Sequence, residues 1–85
     1  MGFERQITVY SAALCGDCQR LKAWMEEQGI QYENRDIREH PHHARELEEQ
    51  TGKLGVPYLI IDGQWKRGYV PGQEFSPDFA RSLFE

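Results

Sequence analysis

The chain has two cysteines, Cys15 and Cys18, separated only by Gly16 and Asp17, a spacing that suits thiol–disulfide chemistry. A thiolate attacks a disulfide sulfur, and a second thiol close by can resolve the mixed disulfide that forms. Two different patterns flank the pair. Gln6-Ile7-Thr8-Val9-Tyr10 is rich in β-branched and aromatic residues and reads as a strand. Leu21, Trp24, Met25 and Gln28 recur at helical spacing. Cys15 is therefore expected beside the start of a helix, where unpaired amide N–H groups and the positive end of the helix dipole favour a thiolate. Cys15 is the expected nucleophile and Cys18 the resolving thiol. Asp17 suits the first helical turn, yet its carboxylate opposes ionisation of Cys15. The Cys15 pKa is expected below the free-thiol value of about 8.5, by less than a neighbouring lysine would give. A pair of buried structural thiols is the competing reading, because free cysteine is often buried. Two cysteines in one helix-opening turn, and none elsewhere, argue for the redox pair.

Composition bounds what surrounds this turn. Eighty-five residues make a single small domain, 1–85, which buries roughly 60% or slightly more of its unfolded surface. A hydrophobic content of 39% supports a modest core. The net charge is −4, and basic residues are interleaved with acidic ones, as in Arg38-Glu39 and Arg45-Glu46. No basic face of the kind nucleic-acid binders carry is visible. No apolar run approaches the roughly 20 residues of a membrane span, and Met1-Gly2-Phe3-Glu4-Arg5-Gln6 has no signal-peptide core. A cytoplasmic location is expected, where a close cysteine pair is more often catalytic or metal-binding than a structural clamp.

The elements alternate. A strand over about Gln6–Ser11 leads to a helix over Gly16–Gln28, which Gly29 ends. Ile30–Asp36 reads as a second strand, with Ile30, Tyr32 and Ile37 as apolar members. Pro41 opens a helix that runs to Thr51 before Gly52. Ala44 and Leu47 face inward there, and Glu39, Glu46, Glu48 and Glu49 face water. Pro57–Ile61 is the most apolar run and reads as a buried central strand. Asp62-Gly63 marks a tight hairpin, and Gln64–Arg67 returns as a charged edge strand. Ser76-Pro77-Asp78 caps a last helix whose apolar face is Phe79, Ala80, Leu83 and Phe84. The fold class is α/β, a four-stranded mixed sheet in the order β-α-β-α-β-β-α with helices on both faces. The first two strands pair in parallel through a right-handed crossover. The cysteine turn then lies at the carboxyl end of a strand, where open α/β sheets hold their chemistry.

With these residues in place, the chain resembles a glutaredoxin-type member of the thioredoxin superfamily over nearly its whole length. Four marks carry the likeness. They are Thr8-Val9-Tyr10-Ser11 leading into Cys15-x-x-Cys18, Arg35-Asp36-Ile37, Gly55-Val56-Pro57 before the central strand, and Gly68-Tyr69 after the hairpin. Trp65-Lys66-Arg67-Gly68-Tyr69-Val70-Pro71 is similar to the tail of the NrdH-type redoxins that serve ribonucleotide reductase. Val70-Pro71 stands where ordinary glutaredoxins carry an acidic pair for glutathione, and Ala12 stands where both groups place a lysine. Arg67 and Arg38 are candidates for the missing positive charge.

The resemblance implies a dithiol–disulfide oxidoreductase of thioredoxin-like, three-layer fold. Its Val56-Pro57 bond is expected to be cis and to face the cysteines. Val56, Pro57, Gly68 and Tyr69 are then expected to line a groove for an extended substrate. A close backbone approach is the functional reading of Gly68, and a simple turn residue is the plain one. No bound cofactor is implied. Glutathione or a thioredoxin-reductase-like flavoenzyme serves as external reductant, and disulfide-containing proteins, ribonucleotide reductase among them, are the expected partners of a monomer. The alternative is a metal or iron–sulfur cluster carrier, which needs a dimer or a co-ligand, because two thiolates leave a four-coordinate metal incomplete. Trp65 reads as an edge-strand aromatic and Tyr10, Trp24 and Met25 as core. His40, His42 and His43 invite a zinc site with the cysteines, but 21 residues separate Cys18 from His40, against roughly 12–15 in a zinc finger. Solvated histidines at a helix start are the expectation.

Overall fold

The computed structural model describes residues 5–85. Met1-Gly2-Phe3-Glu4, part of the stretch read as lacking a signal-peptide core, lies outside them. Seven elements follow one another: β1 (Ile7–Ser11), α1 (Gly16–Glu27), β2 (Glu33–Asp36), α2 (Pro41–Thr51), β3 (Tyr58–Ile61), β4 (Gln64–Arg67) and α3 (Pro77–Ser82). The sheet order is β2-β1-β3-β4. β1 pairs in parallel with β2 and antiparallel with β3, and β3 and β4 form the hairpin. Asp62 and Gly63 both adopt positive φ, 51° and 87°, as a two-residue hairpin turn requires. The Asp62 carboxylate also accepts from the Gln6 backbone N–H at 3.0 Å and from Arg5 Nε at 3.1 Å. This is the expected thioredoxin-like layout.

Strand alternation sorts the side chains into two layers. Ile7 and Val9 of β1 and Leu59 and Ile61 of β3 face α1 and α3. They bury Leu21, Trp24 and Met25 of the first helix with Ala80 and Leu83. Tyr10 points to the opposite face, under α2. Trp65 stacks on it at 5.4 Å between ring centroids, and His43 meets it edge-on at 6.4 Å. The edge aromatic is thus half-buried. The central run is less enclosed than expected: Leu59 and Ile61 are buried, whereas Tyr58 and Ile60 are half-buried, because α2 packs toward β2 and leaves the β3 side of that face partly open.

Two further expectations need correction. The second strand begins at Glu33 rather than Ile30. Gly29 sits at φ 73° after α1, and the Ile30 N–H turns back to the Met25 carbonyl at 2.9 Å. That helix-ending bond takes the donor a ladder would need, so Ile30 and Tyr32 pack on the core from a connecting segment. Glu46 and His43 are half-buried rather than solvated. Glu46 Oε1 accepts from the Tyr10 hydroxyl at 3.1 Å and from Arg35 Nη1 at 3.3 Å, and lies 3.3 Å from His43 Nδ1. Burial pushes the Glu46 carboxyl up, but the bonds to His43 and Tyr10 and the Arg35 charge outweigh it and hold the group below its usual range. Burial likewise raises the Tyr10 phenol.

Asp36 closes β2 and organises the turn into α2. Its buried carboxylate accepts from the N–H groups of Arg38 at 2.8 Å and Glu39 at 2.9 Å. The Glu39 amide is the main cause of a pKa held below the ordinary value, with burial opposing and the Arg38 amide and the Lys22 charge assisting. Because the folded pKa is depressed, this stabilisation is complete above the unfolded value and disappears as pH falls through the folded one. Asp36→Asn keeps an acceptor but cannot ionise. We expect it to cost about 1 kcal/mol at neutral pH and to flatten the acid limb of stability below the ordinary aspartate value of 3.8. Urea midpoints measured against pH check both effects, and an acid limb unchanged from the parent would remove Asp36 as its source.

Candidate functional site

The cysteine turn joins β1 to α1 at the carboxyl end of β1. Ser11 is buried there. Its hydroxyl donates to Asn34 Oδ1 at 2.6 Å and accepts from Lys22 Nζ at 3.4 Å, which ties the strand end to β2 and to the helix. The Cys15 N–H then donates to the Ala12 carbonyl at 3.1 Å and turns the chain. Cys15 is the N-cap of α1, with φ −90° and ψ 110°, and its Sγ accepts from the Cys18 N–H at 3.1 Å. A sulfur thus occupies the capping position usually filled by an oxygen of Ser, Thr, Asp or Asn. The cap N–H and the helix dipole both favour negative charge on it.

The two cysteines are joined as a disulfide, with Cα atoms 5.2 Å apart. Their environments differ. Cys18 is fully buried among the residues facing β1 and β3, whereas Cys15 is half-exposed. Among the described residues, no group of three or more His, Cys, Asp or Glu side chains is arranged to hold a metal ion. The three histidine rings do gather at the start of α2, with centroids 4.0–5.8 Å apart.

The residues expected to form the groove meet at this point. The Val56–Pro57 peptide is cis, and the Val56 carbonyl oxygen lies 3.8 Å from Cys15 Sγ. The Gly68 N–H donates to the Pro57 carbonyl at 3.0 Å, which holds the segment after β4 against the loop before β3. Tyr69 reaches across to Gly55, where a Cβ would lie 2.2 Å from the tyrosine hydroxyl. Gly55 therefore has a structural task that its place in a motif did not reveal. Tyr69 stands between two shallow depressions. One is lined by Thr51, Lys53, Gly55, Tyr58, Arg67 and Tyr69. The other includes Asp17, Gly68, Tyr69, Val70 and Glu74. Arg67 lies 5.4 Å from the Tyr69 ring centroid, so one flank of Tyr69 is basic and the other acidic. Lys53 joins Arg67 on the basic flank, whereas Arg38 lies in the turn after β2 and lines neither depression.

The glutaredoxin family model matches residues 7–66. The chain belongs to the glutaredoxin family. Among solved structures, this glutaredoxin is similar to a mutant of the thioredoxin-like protein BC3987, at 20% identity and TM-score 0.74, covering 94% of this chain and all of that one. It is similar to the glutaredoxin-like NrdH-redoxin from Escherichia coli, at 26% identity and TM-score 0.71, covering 92% of this chain and 93% of that one. A glutaredoxin from Brucella melitensis gives 22% identity and TM-score 0.69 over 98% of this chain and 82% of its own. Comparison with curated protein sequences gives no match.

Gly68 has a packing reason to lack a side chain. A Cβ there would fall 2.6 Å from Leu59 Cδ1, 3.0 Å from the Pro57 carbonyl oxygen and 3.3 Å from Leu21 Cδ2. The leucine methyls can shift, but the carbonyl belongs to the backbone. Gly68→Ala is expected to destabilise the fold by roughly 1–3 kcal/mol, the range for overpacking a core. Chemical denaturation reads this directly, and a loss under about 0.5 kcal/mol would show that the surrounding core is looser than it looks.

Proposed function

We propose that this glutaredoxin reduces disulfides in proteins through its Cys15–Cys18 pair. The observation that carries the reading is the difference between two sulfurs in one turn. One is half-exposed, caps a helix and faces the Val56 carbonyl, while the other is buried beneath it.

In the dithiol form, the Cys15 thiolate attacks one sulfur of a substrate disulfide. The Cys15–substrate sulfur bond forms as the substrate disulfide breaks, and the departing thiolate takes a proton from water. Cys18 then gives up its proton and attacks Cys15 Sγ. This releases the second substrate thiol and closes the Cys15–Cys18 disulfide, so two electrons pass from the dithiol to the substrate. Burial keeps Cys18 from foreign disulfides but leaves it beside Cys15. Val56, Gly68 and Tyr69 line the place where the substrate lies, with the fully buried Pro57 behind Val56, and the unlike charges on the two sides of Tyr69 orient it.

An external reductant returns the pair to the dithiol, in a reducing compartment such as the cytoplasm. The tail Trp65–Pro71 supports a flavoenzyme of the thioredoxin reductase type in that role, as does the likeness to a redoxin described as having a thioredoxin-like activity profile. Glutathione is the competing donor, for which Lys53 and Arg67 offer positive charge. Ribonucleotide reductase is the protein substrate that the same tail favours.

Two parallel assays test this, each following NADPH oxidation with a protein disulfide as acceptor. One contains thioredoxin reductase, and the other contains glutathione with glutathione reductase. Turnover is expected with thioredoxin reductase and to be lost in Cys15→Ser. Cys18→Ser should instead accumulate a mixed disulfide, visible as a mass increase that reducing agent removes. Turnover only with glutathione would reassign the donor, and turnover surviving in Cys15→Ser would refute the mechanism.

A further inference from the structure

The carboxylate of Asp17 stands next but one to Cys15 and opposes its ionisation, yet the structure supplies an answering charge. Arg20 folds back along the first turn of α1 toward Asp17, with Nη2 3.7 Å from Oδ1. On that path its guanidinium crosses Gly16, the residue bonded to Cys15. A Cβ on Gly16 would lie 3.1 Å from Nη1, 3.3 Å from Nη2 and 3.6 Å from Cζ. Gly16 has no positive φ to explain it, and glycine is a poor helix former. What the missing side chain provides is room for the guanidinium.

We propose that Arg20, seated over Gly16 and held by Asp17, is a positioning residue that keeps the Cys15 thiolate available by cancelling the Asp17 charge at the helix start. The inference rests on Cys15 being the attacking sulfur. The cation comes from within the helix, since position 12, three residues before Cys15, is alanine.

Other charged or titratable groups stand around the turn. On α1 these are Asp17, Arg20, the partner Cys18 and, one turn further, Lys22, which is engaged with Ser11. The loop before β3 brings Lys53, and the segment after β4 brings Arg67, Tyr69 and Glu74. Lys53 and Arg67 lie on the far side of Tyr69 from Asp17, and Glu74 lines the same crevice as Asp17. Arg20 is the cation paired with the carboxylate nearest the sulfur in sequence.

The test is the Cys15 pKa, read as ultraviolet thiolate absorbance in a Cys18→Ser background so that one thiol titrates. For charges within one helical turn of the sulfur and largely exposed to water, Arg20→Gln should raise the pKa by about half a unit. Asp17→Asn should lower it by a similar amount. Gly16→Ala should raise it in the same direction as Arg20→Gln and by less, because the new methyl makes the guanidinium give way by a few tenths of an ångström. Alanine suits a helix, so this variant is expected to fold. Combined with Arg20→Gln, Gly16→Ala should add nothing.

An Arg20→Gln pKa equal to the parent's would overturn the proposal, as would a Gly16→Ala effect that persists without Arg20. The titration does not depend on turnover. Unchanged pKa values in a protein whose activity is lost in Cys15→Ser would sink the Arg20 assignment alone. The expected shifts in a protein that reduces no disulfide would sink the functional reading alone.

Discussion

The hydrogen bond from the Cys18 N–H to Cys15 Sγ, 3.1 Å long, is the interaction that the site depends on. It makes a sulfur the cap of α1, and a cap at this position must stand at the head of the helix with donors pointing toward it. Three elements keep that head in place. β1 lies between β2 and β3 in the sheet, so its carboxyl end cannot drift. Ser11, Asn34 and Lys22 bind the strand end to its neighbours. Leu21, Trp24 and Met25 anchor the body of the helix against the sheet.

From the same bond follows the division between the sulfurs. The N-cap residue lies outside the helical cylinder and can meet solvent, while the residue three positions later has entered the first turn. In this chain that turn presents Cys18 to the core, where it is fully buried. The loop before β3 then closes the site from the other side. Its Val56 carbonyl lies beside Cys15, and the Gly68 N–H bonded to the Pro57 carbonyl fixes where the groove wall begins. Gly55 and Gly68 serve this assembly by what they omit: one leaves space for the Tyr69 hydroxyl and the other for Leu59 and Leu21.

Much of this was legible in the residues because the signals are local. Cys15 and Cys18 fall between a period-2 run and a 3.6-period run, and Asp62-Gly63 and Ser76-Pro77-Asp78 name their own turns. The exceptions are groups claimed by a neighbouring element rather than by their own. Ile30 looks like the start of a strand, but its N–H is taken by the end of α1. Glu46 looks solvated within an acidic run, yet Tyr10, 36 residues earlier, and Arg35 on β2 draw it inward. Gly16 and Gly55 carry no signal in the sequence beyond their places in motifs. The guanidinium over one and the phenol against the other come from rotamers and tertiary packing, which no spacing rule encodes.

The central claim is that one cysteine is presented to solvent as an ionised cap while its partner is withheld. Reducing the protein, exposing it briefly to iodoacetamide at neutral pH and mapping the modified peptides by mass spectrometry tests that difference without any substrate or reductase. Alkylation at Cys15, with Cys18 left as a free thiol until the fold is disrupted, is the result this account predicts. Modification of both cysteines at equal rates, or of Cys18 first, would contradict it.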